Sequence, residues 1–175
     1  MPPDHLAAVE RLVGDLESAG LEPVLVGGMA MVVLGSRRVT RDFDFLISTP
    51  VRIEELVEIL YANDFELVTK LDDGGEVRRT IDRSKVAAAR LAGTRPQTLF
   101  FHRKATGLRV DLLLDHPLPA HSLAARADPV RFSSRKVNVA RPQDLLRLKE
   151  LARAERNSAS DAEDIEYLKR LLAPK

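Results

Sequence analysis

Two adjacent glycines follow a short apolar run near the start of the chain, and two carboxylates separated by one residue follow a polar loop. The apolar run is residues 23–26 (PVLV), the glycines are Gly27 and Gly28, and the carboxylates belong to Asp42 and Asp44. An apolar run bounded by proline and glycine predicts a buried strand that ends in a tight turn. Residues 29–34 predict a short helix behind it, so a strand, a turn and a helix must meet at one place in the fold.

The second strand of this pattern, residues 42–47 (DFDFLI), carries both carboxylates. Side chains two residues apart on a strand project to the same face, so Asp42 and Asp44 share one face while Phe43 and Phe45 point into the core. Two carboxylates in one small space repel each other without a cation or a shared proton. Hard oxygen ligands on a rigid strand suit Mg²⁺ or Mn²⁺. The alternative is a solvated strand edge, on which such pairs are common.

The glycine turn strengthens the metal interpretation through its position. A Gly-Gly turn at a strand end lets backbone N–H groups approach a phosphate, and the helix that follows presents its positive end. Gly27-Gly28 taken alone is more often a simple turn. The combination of turn and paired carboxylates is what favours a phosphate and metal site.

The remaining periodicity predicts an α+β (α/β) chain with a mixed β-sheet packed by helices and a helical C-terminal tail. We expect helices at 4–19, 53–60, 142–151 and 160–172, and strands at 65–68, 98–102, 108–114 and 136–139. The turn 72–75 suggests a hairpin, and residues 77–96 stay open between helix and loop. We expect a core at residues 1–140 and a C-terminal helical extension at 141–175 packed on it as one structural domain.

Bulk composition narrows the class of protein further. The 175 residues are 45% hydrophobic, which fits one globular domain, and the net charge of +1 gives no global attraction to nucleic acid or membrane. The absence of cysteine excludes disulfides, thiolate metal sites and a cysteine nucleophile. The longest apolar stretch, residues 23–35, is too short to span a membrane. We therefore expect a soluble, cytoplasmic protein without a membrane partner.

Two segments, residues 26–30 (VGGMA) and 35–44 (GSRRVTRDFD), resemble the signature of the DNA polymerase beta-like nucleotidyltransferase superfamily, including the distance between turn and carboxylates. Within it, the chain is similar to minimal and abortive-infection-type (AbiEii-like) toxin nucleotidyltransferases, in which a Gly-Gly-x-Ala turn precedes a Gly-Ser-x-Arg-x-Thr-x-Asp-x-Asp segment. The resemblance is strong over residues 20–48, moderate around Asp111 in residues 109–113 (RVDLL), and rests on pattern in the C-terminal helices. It implies a nucleotidyltransferase fold.

The resemblance also implies a two-metal transfer of a nucleoside monophosphate. Asp42 and Asp44 would hold Mg²⁺ or Mn²⁺, and Asp111 as the third carboxylate would hold the second ion and help to activate an acceptor hydroxyl. A carboxylate paired with Arg109 or Lys104 is the structural alternative for Asp111. Asp115 is a rival third carboxylate nearby.

Residues expected to bind the nucleoside triphosphate, with ATP as the candidate, follow from the same resemblance: Gly27, Gly28, Ser36, Arg38, Thr40, Arg41 and Lys149. Guanidinium groups match phosphate oxygens bidentately, although a solvated basic loop at 37–41 and a surface lysine at 149 are the alternatives. Met29 stands where many superfamily members carry a serine that holds the triphosphate, and Ser36 is too far along the chain to replace it. The turn must then bind through its backbone N–H groups.

The expected function is therefore metal-dependent nucleotidyl transfer to a hydroxyl of RNA or tRNA, protein or a small molecule. A toxin of a toxin–antitoxin pair, with an antitoxin partner, is the candidate role. A catalytically silent binding or regulatory module of the same fold is the alternative. Adenylylation of an antibiotic is a third hypothesis, against which we count the short chain. The four histidines share no ligand spacing and are assigned no role, and the basic stretch 78–95 is a candidate RNA contact.

Overall fold

A computed structural model of the chain describes residues 3–156 and 159–174. Within these ranges, helices and strands alternate along most of the chain. In chain order the elements are α1 (Pro3–Ser18), β1 (Val24–Val26), α2 (Gly27–Val33), β2 (Phe43–Ile47), α3 (Ile53–Ala62), β3 (Glu66–Leu71), β4 (Val77–Ile81), α4 (Ser84–Leu91), β5 (Thr98–Arg103), β6 (Leu108–Leu114), α5 (Ala120–Ala124), β7 (Asp128–Arg131), β8 (Lys136–Val139), α6 (Pro142–Arg156) and α7 (Ala159–Leu172).

The eight strands in the described ranges form one mixed sheet, in the order β4-β3-β5-β6-β2-β1-β8-β7. β2 runs parallel to β6, and β1 runs parallel to β8, whereas the other neighbours are antiparallel. Because β2 and β6 are parallel neighbours, residues at matching positions along the two strands lie beside each other. The carboxylate-bearing strand β2 therefore has β1 on one side and β6 on the other.

Alternation along the central strands explains which side chains reach the core. Phe43, Phe45 and Phe101 are fully buried, as are Leu12 and Leu16 of α1. Each large apolar side chain removed from water contributes roughly 1.5–3 kcal/mol to folding. The prediction that Phe43 and Phe45 point into the core is confirmed.

The sequence did not predict the short elements β7 and α5, and the structure assigns helix and strand to the region 77–96 that the sequence left open. β7 has the sequence DPVR with three exposed residues, so no apolar alternation marks it, and it forms through pairing with β8. The helix α5 has only five residues. Residues 77–96 contain β4 and the helix α4, in which Ala87 is the buried residue.

The predicted division into a core at 1–140 and an extension at 141–175 stays a prediction. It includes residues 1, 2, 157, 158 and 175, which lie outside the described residues. In the part of the chain that the structure describes, no helix is both long and apolar enough to cross a membrane.

Candidate active site

A row of four side chains crosses the centre of the sheet at one level. Val26 of β1 pairs in register with Asp44 of β2, Asp44 pairs with Asp111 of β6, and Asp111 pairs with Phe100 of β5. Register partners on neighbouring strands project to the same face of a sheet. The two carboxylates therefore lie side by side, between an apolar side chain and an aromatic ring.

An open cleft of about 520 Å³ lies over this row. Its volume is within the range of roughly 300–1,000 Å³ that is usual for small-molecule sites. Asp42, two residues before Asp44, faces the same cleft, as strand alternation predicts. The lining residues are Val26, Gly27, Gly28, Arg38, Thr40, Asp42, Asp44, Thr98, Phe100, Arg109, Asp111, Leu113, His116, Pro117, Leu145, Leu148, Lys149, Ala152, Ser160 and Asp161.

Gly27 and Gly28, predicted as a turn before a helix at 29–34, are the first two residues of α2 directly after β1. This junction, for which we keep the name glycine turn, is shaped by close approach as well as by backbone conformation. Gly27 has a φ of 65°, and a Cβ there would lie 1.9 Å from Oδ2 of Asp44. A Cβ on Gly28 would lie 2.9 Å from Nε of Arg38 and 3.1 Å from Oγ1 of Thr40. Only glycine lets the turn pack this tightly against the carboxylate. The glycine pair thus belongs to the same site as Asp44.

Arg109, two residues before Asp111 on β6, bridges two of the carboxylates. Its Nη2 lies 2.7 Å from Oδ2 of Asp42 and 3.2 Å from Oδ2 of Asp111, and its Nε lies 3.1 Å from Oδ1 of Asp111. Its Nη1 donates to the carbonyl of Gly75 at 3.0 Å, in the turn between β3 and β4. The expected alternative, in which Asp111 pairs with Arg109, therefore holds in this structure, while Lys104 pairs with Glu66 at 2.7 Å.

The carboxyl groups of Asp44 and Asp111 have too little positive charge around them to balance their own negative charge. Burial raises the pKa of Asp111 to about 7, the charge of Asp44 adds to the rise, and Arg109 opposes it. Burial likewise raises the pKa of Asp44, with a further contribution from Asp42. Lys149, Arg109 and a hydrogen bond from the Gly28 N–H oppose that shift. Burial therefore disfavours the charged form of both carboxyl groups, and a bound cation would favour it.

The donor set fits a hard divalent cation by its chemistry. The three carboxylates supply oxygen ligands, face one cleft, and include two groups whose charged form is disfavoured without a cation. As arranged, however, residues 3–156 and 159–174 contain no group of three or more His, Asp or Glu side chains close enough to hold a metal. The guanidinium of Arg109 instead contacts two of the three carboxylates, those of Asp42 and Asp111.

The C-terminal helices add a second cluster of charges beside the glycine turn. Nζ of Lys149 on α6 lies 2.9 Å from Oδ1 of Asp161 and 2.7 Å from Oδ2 of Asp164, both on α7. Arg38 forms an ion pair with the same Asp164. Lys149 is only 7% exposed, so the surface-lysine alternative does not hold for it. The cluster ties the loop at 35–41 to both helices.

The structure brings together most of the residues that the sequence singled out. Those that line the cleft are Gly27, Gly28, Arg38, Thr40, Asp42, Asp44, Asp111 and Lys149. Ser36 and Arg41 are not among the described lining residues: the Ser36 hydroxyl accepts from the backbone N–H of Arg38 at 3.3 Å, and Arg41 is exposed. Asp115 serves the backbone instead, accepting from the N–H groups of Thr49 and Ala120, each at 2.7 Å.

Sequence reasoning missed one wall of the cleft. Thr98 and Phe100 on β5 and His116 with Pro117 after β6 line it. Alternation would put Thr98 and Phe100 on one face, but only the pairing of β5 with β6 identifies that face as the one that carries Asp111. No local signal marks His116.

No protein-family model matches the chain, and no curated protein matches it in sequence. The architecture and the position of the cleft nevertheless define a class: the chain has the nucleotidyltransferase fold, in its α+β form with a mixed sheet. The predicted fold class is thereby confirmed.

Three solved structures carry this conclusion. An antigenic nucleotidyltransferase-like protein from Paracoccidioides brasiliensis is similar with a TM-score of 0.56 and 22% identity, over 99% of this chain and 79% of that one. The solution structure of the antibiotic-resistance factor ANT(2'')-Ia gives 0.61 and 14% identity over 99% and 86%. The crystal structure of ANT(2'')-Ia in complex with adenylyl-2''-tobramycin gives 0.59 and 13% over 97% and 90%.

The identities to all three structures are 22% or lower. At these identities the likeness concerns the fold, and it does not distinguish the abortive-infection subtype.

Proposed function

We propose that this protein transfers a nucleoside monophosphate from a nucleoside triphosphate to a hydroxyl group of an acceptor. The observation that carries the proposal is the side-by-side placement of Asp44 and Asp111, with Asp42 facing the same cleft beside the glycine turn. Phosphoryl chemistry depends on positioning and on stabilising spread negative charge rather than on a covalent nucleophile. A carboxylate row beside a cluster of cationic side chains supports that type of chemistry.

In the proposed reaction, a bond forms between the acceptor oxygen and the α-phosphorus, and the bond from the α-phosphorus to pyrophosphate breaks. The proton of the acceptor hydroxyl passes to Asp111. Asp111 is a suitable acceptor for this proton because its carboxylate faces the cleft beside Asp44. Phe100, its register partner on β5, flanks the position at which the acceptor would enter.

Asp42, Asp44 and Asp111 are the proposed ligands of Mg²⁺ or Mn²⁺. Two such ions would stabilise the charge on the attacking and leaving oxygens. The residues themselves contribute a rigid placement, since Asp44 is held against the glycine turn and Asp111 lies on a central strand.

The nucleotide, with ATP as our first candidate, is proposed to bind at the end of the cleft formed by the glycine turn and the C-terminal helices. Arg38 and Lys149 line this end and are both held by Asp164, so two cations are positioned there in advance. Glycine at positions 27 and 28 leaves this end of the cleft without a side chain that would block a phosphate. Met29 is fully packed in the core and plays no part.

We propose the class of acceptor from the residues that line the wall of the cleft opposite the nucleotide end. ANT(2'')-Ia, one of the structural neighbours, is an antibiotic-resistance factor that has been crystallised with adenylyl-2''-tobramycin. The aromatic and apolar lining at Phe100, Leu113 and Pro117 suits an acceptor with a ring. Hydroxyl groups of RNA, tRNA or protein are the alternative acceptors. A toxin role with an antitoxin partner would go with one of these macromolecular acceptors.

The test is incubation of the purified protein with α-labelled nucleoside triphosphates and Mg²⁺ across tRNA, protein and aminoglycoside acceptors. We expect transfer of label, and a loss of roughly 10²-fold or more in Asp42→Asn and Asp44→Asn. Asp128→Asn is the matched control, because Asp128 is exposed, pairs with Arg141 and lies outside the cleft lining. Folded wild-type protein that labels none of these acceptors would contradict the proposal.

A catalytically silent binding module is the second candidate, favoured by the ion pairs that Arg109 makes with Asp42 and Asp111. Calorimetric measurement of nucleotide binding distinguishes the enzyme from the binding module. If nucleotide binding is the same in Asp44→Asn as in the wild type, and no transfer is found, the protein is a binding module, because a catalytic site needs the metal ligand for productive nucleotide binding.

A further inference from the structure

We propose that Arg109 is an internal cation that holds Asp42 and Asp111 together in the ligand-free protein, and that it is displaced when a divalent cation binds. Because the same side chain holds the turn between β3 and β4, displacement couples the occupancy of the carboxylates to that turn. This inference rests on the proposed metal site at Asp42, Asp44 and Asp111.

The guanidinium of Arg109 contacts three groups at once. It contacts Asp42 at 2.7 Å, Asp111 at 3.1 and 3.2 Å, and the carbonyl of Gly75 at 3.0 Å. A guanidinium carries five N–H donors in a rigid fork, which allows one side chain to bridge groups on different elements. One positive charge thus joins the end of the loop before β2, the strand β6 and a distant turn.

A divalent cation and this guanidinium compete for the same oxygen lone pairs. A metal needs the carboxylate oxygens of Asp42 and Asp111, and Arg109 now donates to both. Asp44 lies instead against the glycine turn. The side chain of Arg109 is 21% exposed and therefore has an edge toward solvent along which it can leave.

The turn held by Arg109 is otherwise closed through Asp72, whose N–H donates to the carbonyl of Glu76 at 3.0 Å and whose carbonyl accepts from the N–H of Gly75 at 2.9 Å. Gly75 has a φ of 81°, and its carbonyl accepts from Arg109. On the other side of the turn, Oδ1 of Asp72 accepts from the N–H groups of Gly74 and Glu76 at 3.0 and 2.9 Å. Loss of the Arg109 bond would leave the turn dependent on Asp72, and we expect it to become more mobile.

The first experiment measures Mn²⁺ binding without nucleotide, from the electron paramagnetic resonance signal of the free ion. In Arg109→Gln we expect Mn²⁺ to bind about tenfold more tightly than in the wild type, because the competing charge-assisted bonds are gone. Arg103→Gln is the matched control. Arg103 is a strand residue with a side chain 17% exposed that pairs with Asp64 at 3.2 Å, and alternation from Phe100 puts it on the opposite face of the sheet.

The outcomes of this titration separate the inference from the proposed function. If wild-type protein binds Mn²⁺, Asp44→Asn does not, and Arg109→Gln binds no more tightly than Arg103→Gln, the displacement is wrong while the metal site stands. If neither the wild type nor Arg109→Gln binds Mn²⁺ while both remain folded, the metal site and the displacement both fail.

The second experiment follows the turn, and it uses the absence of native cysteine in the chain. A spin label at Asp73→Cys, an exposed position in the turn, reports mobility as Mg²⁺ is added. We expect Mg²⁺ to increase mobility in the wild-type background and to have no effect with Arg109→Gln, where the turn is already released. A label at Glu58→Cys on the exposed side of α3 is the control. An unchanged spectrum at position 73 in the wild-type background would overturn the coupling.

Discussion

The carboxyl group of Asp111 keeps its proton in the native protein well above the pH at which an ordinary aspartate loses it. Burial is the main cause, followed by the neighbouring charge of Asp44, and together they raise the pKa to about 7. In the unfolded chain the same group titrates near 3.8. The native state therefore binds a proton that the unfolded state has lost between these two values, and this difference links stability to pH.

Asp111→Asn tests that linkage. Because the folded pKa is raised, its contribution favours the folded state below about pH 4 and is lost as pH rises through about 7, which amounts to about 2–4 kcal/mol. We expect the free energy of unfolding of the ligand-free wild type to fall by more than that of Asp111→Asn between pH 4.5 and 8. Urea titrations in the presence of a chelator measure both. Equal pH dependence in the two proteins would show that Asp111 has an ordinary pKa.

Gly27→Ala tests the packing of the glycine turn against Asp44. A left-handed φ at a residue with a Cβ costs roughly 1–2 kcal/mol, and contact with the carboxylate adds about 1–3 kcal/mol of overpacking. Gly20→Ala is the control, because Gly20 has a φ of 79° with nothing within 4 Å of a built Cβ. Denaturant unfolding should show a larger loss of stability for Gly27→Ala than for Gly20→Ala. Similar losses would mean that backbone strain alone explains the glycine.

At the scale of elements, α1 is joined to the β7–β8 hairpin by the carboxylate of Glu10, beside an ion pair of Glu17 with Arg135 at 2.7 Å. Glu10 accepts from the backbone N–H groups of Ser133, Ser134 and Arg135 at 2.7, 2.8 and 3.0 Å, and from the hydroxyl of Ser134 at 2.8 Å. Burial by itself raises the pKa of Glu10, but these hydrogen bonds outweigh it and lower the pKa to about 2. The helix thus supplies the anion that the turn of the hairpin requires.

Glu10→Gln should weaken this junction. The depressed pKa means that the stabilisation is present above about pH 4.5 and is lost as pH falls toward 2. With allowance for solvent screening, we expect about 1–2 kcal/mol less stability for Glu10→Gln at pH 7. The difference from wild type should shrink at pH 3, as measured by chemical denaturation at both values. A difference that does not change with pH would argue against an ionised Glu10 as the cause.

At the scale of the molecule, an almost balanced net charge conceals a strongly basic region. The chain has 27 Lys and Arg against 26 Asp and Glu, yet residues 77–96 contain six basic and one acidic side chain. In the structure these residues form β4, at one edge of the sheet, and the helix α4. The exposed cations of this edge are separated from the acidic cleft, which suits a polyanion that approaches from the side.

We predict weak, salt-dependent binding of single-stranded RNA to this edge. A variant with glutamine at four exposed positions of the edge should lose affinity and show a shallower dependence of log K on log salt, by about 0.7 per phosphate contact removed. The positions are Arg79, Arg83, Lys85 and Arg90.

The control carries the same change of charge at four other exposed positions. These are Arg37, Arg52, Arg131 and Lys136. Fluorescence anisotropy of a labelled oligonucleotide at several salt concentrations compares the two variants. Equal losses of affinity would indicate that RNA responds to net charge alone and that the edge is not a specific surface.

The local pattern was sufficient to predict the central strands and the carboxylates they carry. Alternation in residues 42–47 and the apolar run at 23–26 are strong signals because β2 and β1 are buried and regular. β7 and α5 were missed, since each has at most five residues and few buried apolar side chains. β7 forms through its hairpin with β8, the next strand in the chain, whereas α5 packs against β1 and β2, which are distant in the sequence.

The sequence by itself determined which residue types are available: paired carboxylates on a strand, a glycine turn before them, and basic side chains in the loop and tail. Those signals are local, because alternation and turn chemistry act over a few residues. The tertiary structure alone decided that Asp111 is the register partner of Asp44, that Phe100 forms the opposite wall, and that Arg109 lies between Asp42 and Asp111. Strand pairing joins positions far apart in the chain, so electrostatic and packing relations across the sheet exist only once the strands have found their order.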